Sequence, residues 1–331
     1  MTKKLNNVYV GDTYTIASIY EKNGPLKDYF DLIYDKDLYY GTKSFEAAEE
    51  KMLADSISKL LNKAKLIDSD IDYVISGDLE NQIAASNYAM RDFNIPYLGI
   101  FSACATFGEG LILGANLIEG KMAKNIVVST CSHNMVAERQ FRNPTEYGAP
   151  KKQTTTFTST GAASLLLTNK KTNIKVTSIT PGMVLDAGIN DTSNMGGVMA
   201  LGAADTIKRH LKDLKISSDY YDLILTGDLG YYGKKILIDY LKESNIDISK
   251  NYNDCGLILY DIDTQPVYAG ASGPASSALT LSAYILKEML DGKYQKVLIV
   301  PTGAIFSPTK VFQKDTIPCI AHAISLEVTS Q

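Results

Sequence analysis

The segment Tyr97-Leu-Gly-Ile-Phe-Ser-Ala-Cys104-Ala-Thr-Phe-Gly-Glu-Gly reads as strand, sharp turn and helix, with Cys104 at the turn. A helix N-terminus offers free N–H groups and a partial positive charge. A thiol held there is shifted toward a nucleophilic thiolate. The same place also suits a small, buried, inert cysteine, and the segment alone leaves both readings open. The other residues able to do such chemistry are few: Cys131, Cys255 and Cys319, with His133, His210 and His322. There is no CxxC and no HExxH, so neither a zinc site nor a thioredoxin-like motif is expected. Four dispersed cysteines fit a reduced, cytosolic setting rather than a disulfide scaffold. His133 follows a first-half strand and could face Cys104, although a local polar contact is the simpler role.

Short β-rich runs place these residues. Ile71–Ser76, Tyr97–Phe101, Asn125–Ser129, Asp222–Thr226 and Lys296–Pro301 read as buried strands. Phe45, Ala48, Met52, Leu53, Ile57, Leu60 and Leu61 form one apolar stripe at helical spacing. Leu111–Ile118 and Ala278–Leu290 are further helices. Such alternation predicts βα units and a mostly parallel sheet covered by helices.

A repeat runs through this pattern. Asp72-Tyr-Val-Ile-Ser-Gly-Asp78-Leu79 matches Asp222-Leu-Ile-Leu-Thr-Gly-Asp228-Leu229. Gly120-Lys121-Met-Ala-Lys124 and the strand after it match Gly292-Lys293-Tyr-Gln-Lys296 and its strand, in the same order. A duplicated unit explains both, and divides the chain into halves 1–172 and 173–331. The polar segment Ser132–Thr160 reads as a long loop inserted in the first half, and loops of that length usually serve binding or an interface. Asp78 and Asp228 end equivalent strands; N-caps of the next helices are their simplest role, pocket groups the other. Gly196-Gly197 reads as a turn ahead of a helix.

Composition narrows the class. The 331 residues are 45% hydrophobic and 21% charged, which is ordinary for a globular protein. Lys+Arg number 33 against 37 Asp+Glu, a net charge of -4 that argues against nucleic acid as a partner. Met1–Asn7 is polar with no apolar signal core behind it, and no run of about 18 apolar residues could span a membrane.

The matched βα halves, with a cysteine at the strand–helix turn of the first, resemble the thiolase superfamily, and most of the chain is similar to ketoacyl synthase III-type condensing enzymes. The resemblance implies two pseudo-repeated halves with mixed, mostly parallel sheets in an αβαβα layering, and a two-fold homodimer. In such enzymes the cysteine attacks an acyl thioester, helped by a His and an Asn from the second half. Here Gly227 stands about where the His belongs and Ala271 about where the Asn belongs. Neither has a donor or a base. Loss of one oxyanion donor costs about 10²–10³ in rate, and loss of a general acid/base about 10²–10⁴ more. No catalytic residue is therefore expected, Cys104 being a vestigial nucleophile.

The stretch Ser132-His133-Asn134-Met-Val-Ala-Glu138-Arg139-Gln140-Phe141-Arg142-Asn143-Pro144-Thr145-Glu146-Tyr147-Gly148 is similar to a non-catalytic sporulation-protein branch of that superfamily. Thr154–Gly161, the Asn194-Met195-Gly196 turn and Ser272-Gly273 resemble it too. That likeness implies binding of dipicolinic acid (pyridine-2,6-dicarboxylate), with calcium carried on the ligand, for uptake into the spore and release on germination. It also implies a peripheral place on the spore inner membrane, beside other membrane proteins of the same complex. No cofactor and no protein-bound metal are implied. A flat dianion needs paired donors and an apolar wall. Arg139 and Arg142 could supply bidentate forks, or pair with Glu138 and Glu146. Cys104, His133, Ser272 and Gly273 complete the candidate ligand set, with helix N-termini after Cys104 and Ser272. The alternative is a Cys104-dependent acyl transferase or condensing enzyme with unusual helpers.

Overall fold

The computed structural model describes residues 1–141 and 150–329, so Arg142, Glu146 and Tyr147 lie outside the described residues. Ten strands form the spine of the largest sheet. They are β1 Tyr9–Ala17, β2 Tyr73–Gly77, β3 Tyr97–Gly99, β4 Asn125–Ser132, β5 Gly161–Thr168, β6 Ile174–Thr180, β7 Leu223–Thr226, β8 Tyr252–Asp254, β9 Lys296–Val300 and β10 Ala323–Val328. Their spatial order is β8-β7-β9-β10-β6-β1-β5-β4-β2-β3. Read inward from either end, the order is the same: third, second, fourth, fifth and first strand of a half. The outer three strands of each half pair in parallel. The inner pairs are antiparallel. β1 and β6 join the halves where Tyr9 and Val10 face Lys175 and Ile174.

The main helices are α1 Phe45–Ala64, α2 Thr106–Glu119, α3 Asn134–Phe141, α4 Met195–Leu214 and α5 Gly230–Lys242. A further helical run follows at Pro274–Leu279, Thr280–Ile285 and Leu286–Leu290, its middle piece a π-helix. Alternation along the strands builds the layers, because successive side chains take opposite faces. On the first half, Val74 and Val127 point to an outer core with Met52, Leu53 and Ile57 of α1. Ile75, Ile126 and Val128 point the other way, onto Phe107, Leu111 and Ala115 of α2. On the second half, Ile224, Leu298 and Val300 face α4 and α5. Leu223, Leu225, Val297 and Ile299 join the same central core as α2 and the Pro274–Leu290 run. Three cores separated by the two five-stranded halves of this sheet are an αβαβα stack.

The segment expected as one loop, 132–160, is not irregular throughout. β4 runs on to Ser132, and α3 follows at once. Polarity hid this helix, whose buried face (Asn134, Val136, Ala137, Glu138) is itself half polar. Gly196 and Gly197 lie in the first turn of α4 rather than before it. A Cβ on Gly196 would come 2.0 Å from the Leu229 carbonyl oxygen, so close packing against the turn before α5 requires glycine there.

Gly77 carries the same constraint at the end of β2, where a Cβ would lie 2.0 Å from the Ile100 carbonyl oxygen. That oxygen belongs to the segment leading into the Cys104 turn, and Ile100 N–H donates to Ser76 O at 3.0 Å. Overpacking a fitted core costs about 1–3 kcal/mol, with the upper end expected where the clash is with backbone. Gly77→Ala should therefore lower the unfolding free energy by about 3 kcal/mol, measured by urea denaturation, and should increase Cys104 accessibility to a thiol reagent.

Candidate functional site

β3 leads into the short 3₁₀ turn Ala103–Ala105, which runs directly into α2. Ala103 holds a positive φ of 49°. Such a conformation in a non-glycine residue is sparsely populated and costs of order 1–3 kcal/mol. Thr106 fixes the turn, its Oγ1 donating to Ala103 O (2.6 Å) and accepting from Ser102 N–H (3.0 Å). Cys104 is thereby aimed into a cavity lined also by Phe101, Met199, Asp228, Ser272 and Gly273.

The second half supplies the polar wall. Asp228 is 1% exposed. Its Oδ1 accepts from Thr302 Oγ1 (2.8 Å) and its Oδ2 from Gly273 N–H (3.1 Å). The Cys104 thiol hydrogen-bonds the same carboxyl. Burial pushes the Asp228 carboxyl up to about 7, against the opposing pull of those three donors. Burial and the Asp228 charge in turn hold the Cys104 thiol well above its ordinary value. The helix-start argument for a thiolate thus fails. A thiolate beside a buried carboxylate would set two like charges together in a poorly solvated cavity.

Asp228 is not an N-cap, contrary to the expectation. Asp254 does that work, accepting from Leu229 N–H (2.9 Å), Gly230 N–H (3.0 Å) and Thr226 Oγ1 (2.6 Å). Asp78, in the matching first-half place, does bind helical backbone, accepting from Ser86 N–H (2.7 Å) and Glu80 N–H (2.8 Å). Gly227 packs so closely on Thr302 and Pro301 that its position admits no side chain. The group facing the cysteine comes from the next residue, Asp228, and the repeat match was the available signal. Ala271 is fully buried in the central core and offers the cavity nothing polar.

Cys104, Ser272 and Gly273 come together as candidates on one cavity; His133 and Arg139 do not join them. His133 is 1% exposed and lies against Phe45. Its Nδ1 accepts from Met135 N–H (3.2 Å), leaving Nε2 to donate to Leu38 O (2.8 Å). Burial lowers its pKa, so it is a neutral structural histidine. Arg139 lies on the surface over Phe45 and pairs with Glu46. Periodicity explains Arg139, since helix α3 turns Ala137 and Phe141 toward the cavity and Arg139 away, whereas His133 precedes the helix and is held by its bonds to Leu38 and Met135. Sequence reasoning missed the apolar wall of Leu79, Phe101, Met195 and Phe306. Phe141 and Phe306 meet with ring centroids 5.4 Å apart. The space beside Cys104 is about 50 Å³, well under the roughly 150 Å³ that accepts a benzene ring.

A family profile described as stage V sporulation protein AD matches residues 2–327. The chain is 44% identical over 320 residues to stage V sporulation protein AD of Bacillus subtilis (strain 168), covering 97% of this chain and 94% of that one. Among solved structures, a variant of Xanthomonas campestris OleA superposes with a TM-score of 0.63 at 13% identity, covering 97% of this chain and 99% of that one. The 3-oxoacyl-[acyl-carrier-protein] synthase III of Aquifex aeolicus VF5 superposes with a TM-score of 0.56 at 11% identity, with the same coverage. These two likenesses establish the fold.

The Asp228–Cys104 contact sets a direct expectation. Asp228→Asn removes the charge that opposes the thiolate, so the pH profile of Cys104 alkylation should move to lower pH, with Cys104→Ala as the blank. The same substitution should flatten stability against pH. The folded carboxyl value is raised, so its proton is lost more readily on unfolding, and stability falls as pH rises from 3.8 to about 7 in the parent chain. Urea melts across that window check the sign.

Proposed function

Because the chain belongs to the stage V sporulation protein AD family, we propose that it is a non-catalytic thiolase-fold protein that binds dipicolinic acid for uptake into the spore and release on germination. The observation that carries the non-catalytic part is a Cys104 thiol held protonated by burial and the Asp228 charge, with no side chain at Gly227 and only a methyl group at Ala271. An acid that keeps its neighbouring thiol protonated removes the nucleophile instead of activating it.

Ligand binding is assigned to the cavity at Cys104, Ser272 and Gly273. Its aromatic and methionine wall suits a flat ring. The described lining residues include no Lys, Arg or His, and Asp228 is acidic. A free dianion therefore meets an unfavourable field there, whereas its one-to-one calcium chelate is neutral overall. The chelate is the form this lining supports, with calcium as cargo and not as a resident metal. Entry requires the Phe141–Phe306 contact to open, since the closed space is too small for the ring.

No described helix is long and apolar enough to cross a membrane. A place on the spore inner membrane, as a homodimer held by partner membrane proteins, belongs to the same proposal and rests on family membership. The described residues hold no group of His, Cys, Asp and Glu fit for a metal ion.

Calorimetric titration with dipicolinate tests the reading. Heat of binding is expected with equimolar calcium, and much weaker binding without it. Met199→Trp should abolish both signals by filling the cavity, while thermal melting shows that the variant still folds. No heat at millimolar ligand would sink the proposal. Mass spectrometry after incubation with acyl-CoA should find Cys104 unmodified. A stable acyl adduct lost in Cys104→Ala would favour the enzyme reading.

A further inference from the structure

Glu21 is fully buried, on the short helix Ile19–Lys22 that follows β1. One of its carboxylate oxygens serves that helix. Oε2 accepts from Ser18 N–H (3.1 Å) and from Ser18 Oγ (2.6 Å). This is a capping-box contact, and it accounts for a Glu at the third helical position. The other oxygen is spent far along the chain. Oε1 accepts from Thr160 N–H at 2.9 Å and from the Tyr260 hydroxyl. Every one of these partners is a donor, as an acceptor-only carboxylate requires. Local capping needs neither Thr160 nor Tyr260.

Thr160 ends a segment that forms one side of the Cys104 cavity, where Thr156 and Thr158 are lining residues. Its Oγ1 accepts from the N–H of Asn134, the first residue of α3, at 2.9 Å. The residue before it, Ser159, is fully buried and grips one peptide twice. Its N–H (2.9 Å) and its Oγ (3.1 Å) both donate to Ser272 O. A trans peptide is planar with its C=O and N–H opposed, so holding that oxygen aims the Gly273 N–H. This N–H points into the cavity, onto Asp228 Oδ2 at 3.1 Å and onto the Cys104 thiol. Gly273 has φ 95° and ψ 162°, a region open in practice only to glycine. Glycine is free to leave such a conformation, so the bonds at Ser159 hold the peptide in place.

We infer that Glu21 is a positioning residue for the cavity, acting through Thr160 and Ser159 to aim the Gly273 N–H at Cys104 and Asp228. Glu21 does not itself line the cavity. Its carboxylate fixes the Thr160 N–H, Ser159 follows by backbone continuity, and the Ser272–Gly273 peptide follows Ser159. Without the anchor the peptide turns and the cavity loses its aimed donor. The inference rests on the ligand reading above only for its effect on dipicolinate affinity. The Cys104 thiol reports the position of the N–H with no ligand present.

The pH profile of Cys104 alkylation on the full chain is the readout, with Cys104→Ala as the blank. The Gly273 N–H favours the thiolate, so a displaced peptide makes the thiol harder to ionise. Glu21→Gln keeps the size of the side chain but sets an amide group against donors. It should move the profile up by about one pH unit, with reaction about tenfold slower on the rising limb. Ser159→Ala loses one of the two bonds to Ser272 O and should move the profile the same way by less. It carries the test alone if circular dichroism shows that Glu21→Gln does not fold. Ser18→Ala removes only a capping hydroxyl, and should lower the melting temperature with the profile unchanged. Calorimetry with calcium and dipicolinate should show weaker binding in Glu21→Gln and Ser159→Ala. A parent chain that binds nothing would count against the ligand reading and leave the thiol result standing. A profile that neither Glu21→Gln nor Ser159→Ala moves overturns the inference. So does a profile that moves down with faster alkylation, the mark of a loosened chain exposing the thiol. A shift in Ser18→Ala as large as that in Glu21→Gln overturns it too, by reducing Glu21 to a cap.

Discussion

The Asp228 carboxyl is the point on which the site depends. It sits beyond β7, and its partners come from three other segments: Thr302 after β9, Gly273 ahead of the Pro274–Leu279 helix, and Cys104 from the first half. One side chain thus fixes where both halves meet the cavity. Neutral Asp228 can donate one hydrogen bond and accept the rest. Ionised Asp228 can only accept, and in a dry place its charge is costly. The position of its titration near neutrality is the balance between burial and these donors.

The elements that bring these segments together are held by close backbone contacts as much as by side chains. Gly77 on Ile100 and Gly196 on Leu229 are approaches that no Cβ would permit. Gly303 is similar, with its Cβ direction 2.4 Å from the Ser102 carbonyl oxygen. Each of the three glycines supports a segment next to the cavity. The rigid αβαβα stack supplies the scaffold, and these contacts transmit its geometry to the Cys104 turn.

Much of this was legible in the sequence, for a physical reason. Buried strands are apolar on both faces, so Asn125–Ser129 and Lys296–Pro301 stand out, and the glycines and aspartates beside them mark a repeat. The αβαβα layering followed from the superfamily resemblance, and the three cores bear it out. Residue-level contacts were less visible. α3 escaped because half of its buried face is polar. Arg139 and His133 looked like ligand groups because they share a segment with residues that do reach the cavity; helical phase turns Arg139 away, and His133, ahead of the helix, is held by Leu38 and Met135 instead. Asp228 looked like a cap because Asp before a helix usually is one. The cap is instead Asp254, some distance along the chain, and sequence spacing gives no sign of such an exchange.

Asp228 beside Cys104 does more than oppose a thiolate. A histidine beside a cysteine stabilises a thiolate when protonated; an aspartate opposes one when ionised, and when neutral offers only a hydrogen bond. The change also couples the cavity to protons. Any ligand bearing negative charge near Asp228 raises the carboxyl's affinity for a proton, and by linkage a rise in pH weakens that ligand. A ligand neutral overall escapes most of this coupling. The residue that holds the Cys104 thiol protonated therefore also discriminates by net charge, and an apolar cavity with one acidic side chain among its described lining residues is enough to do both.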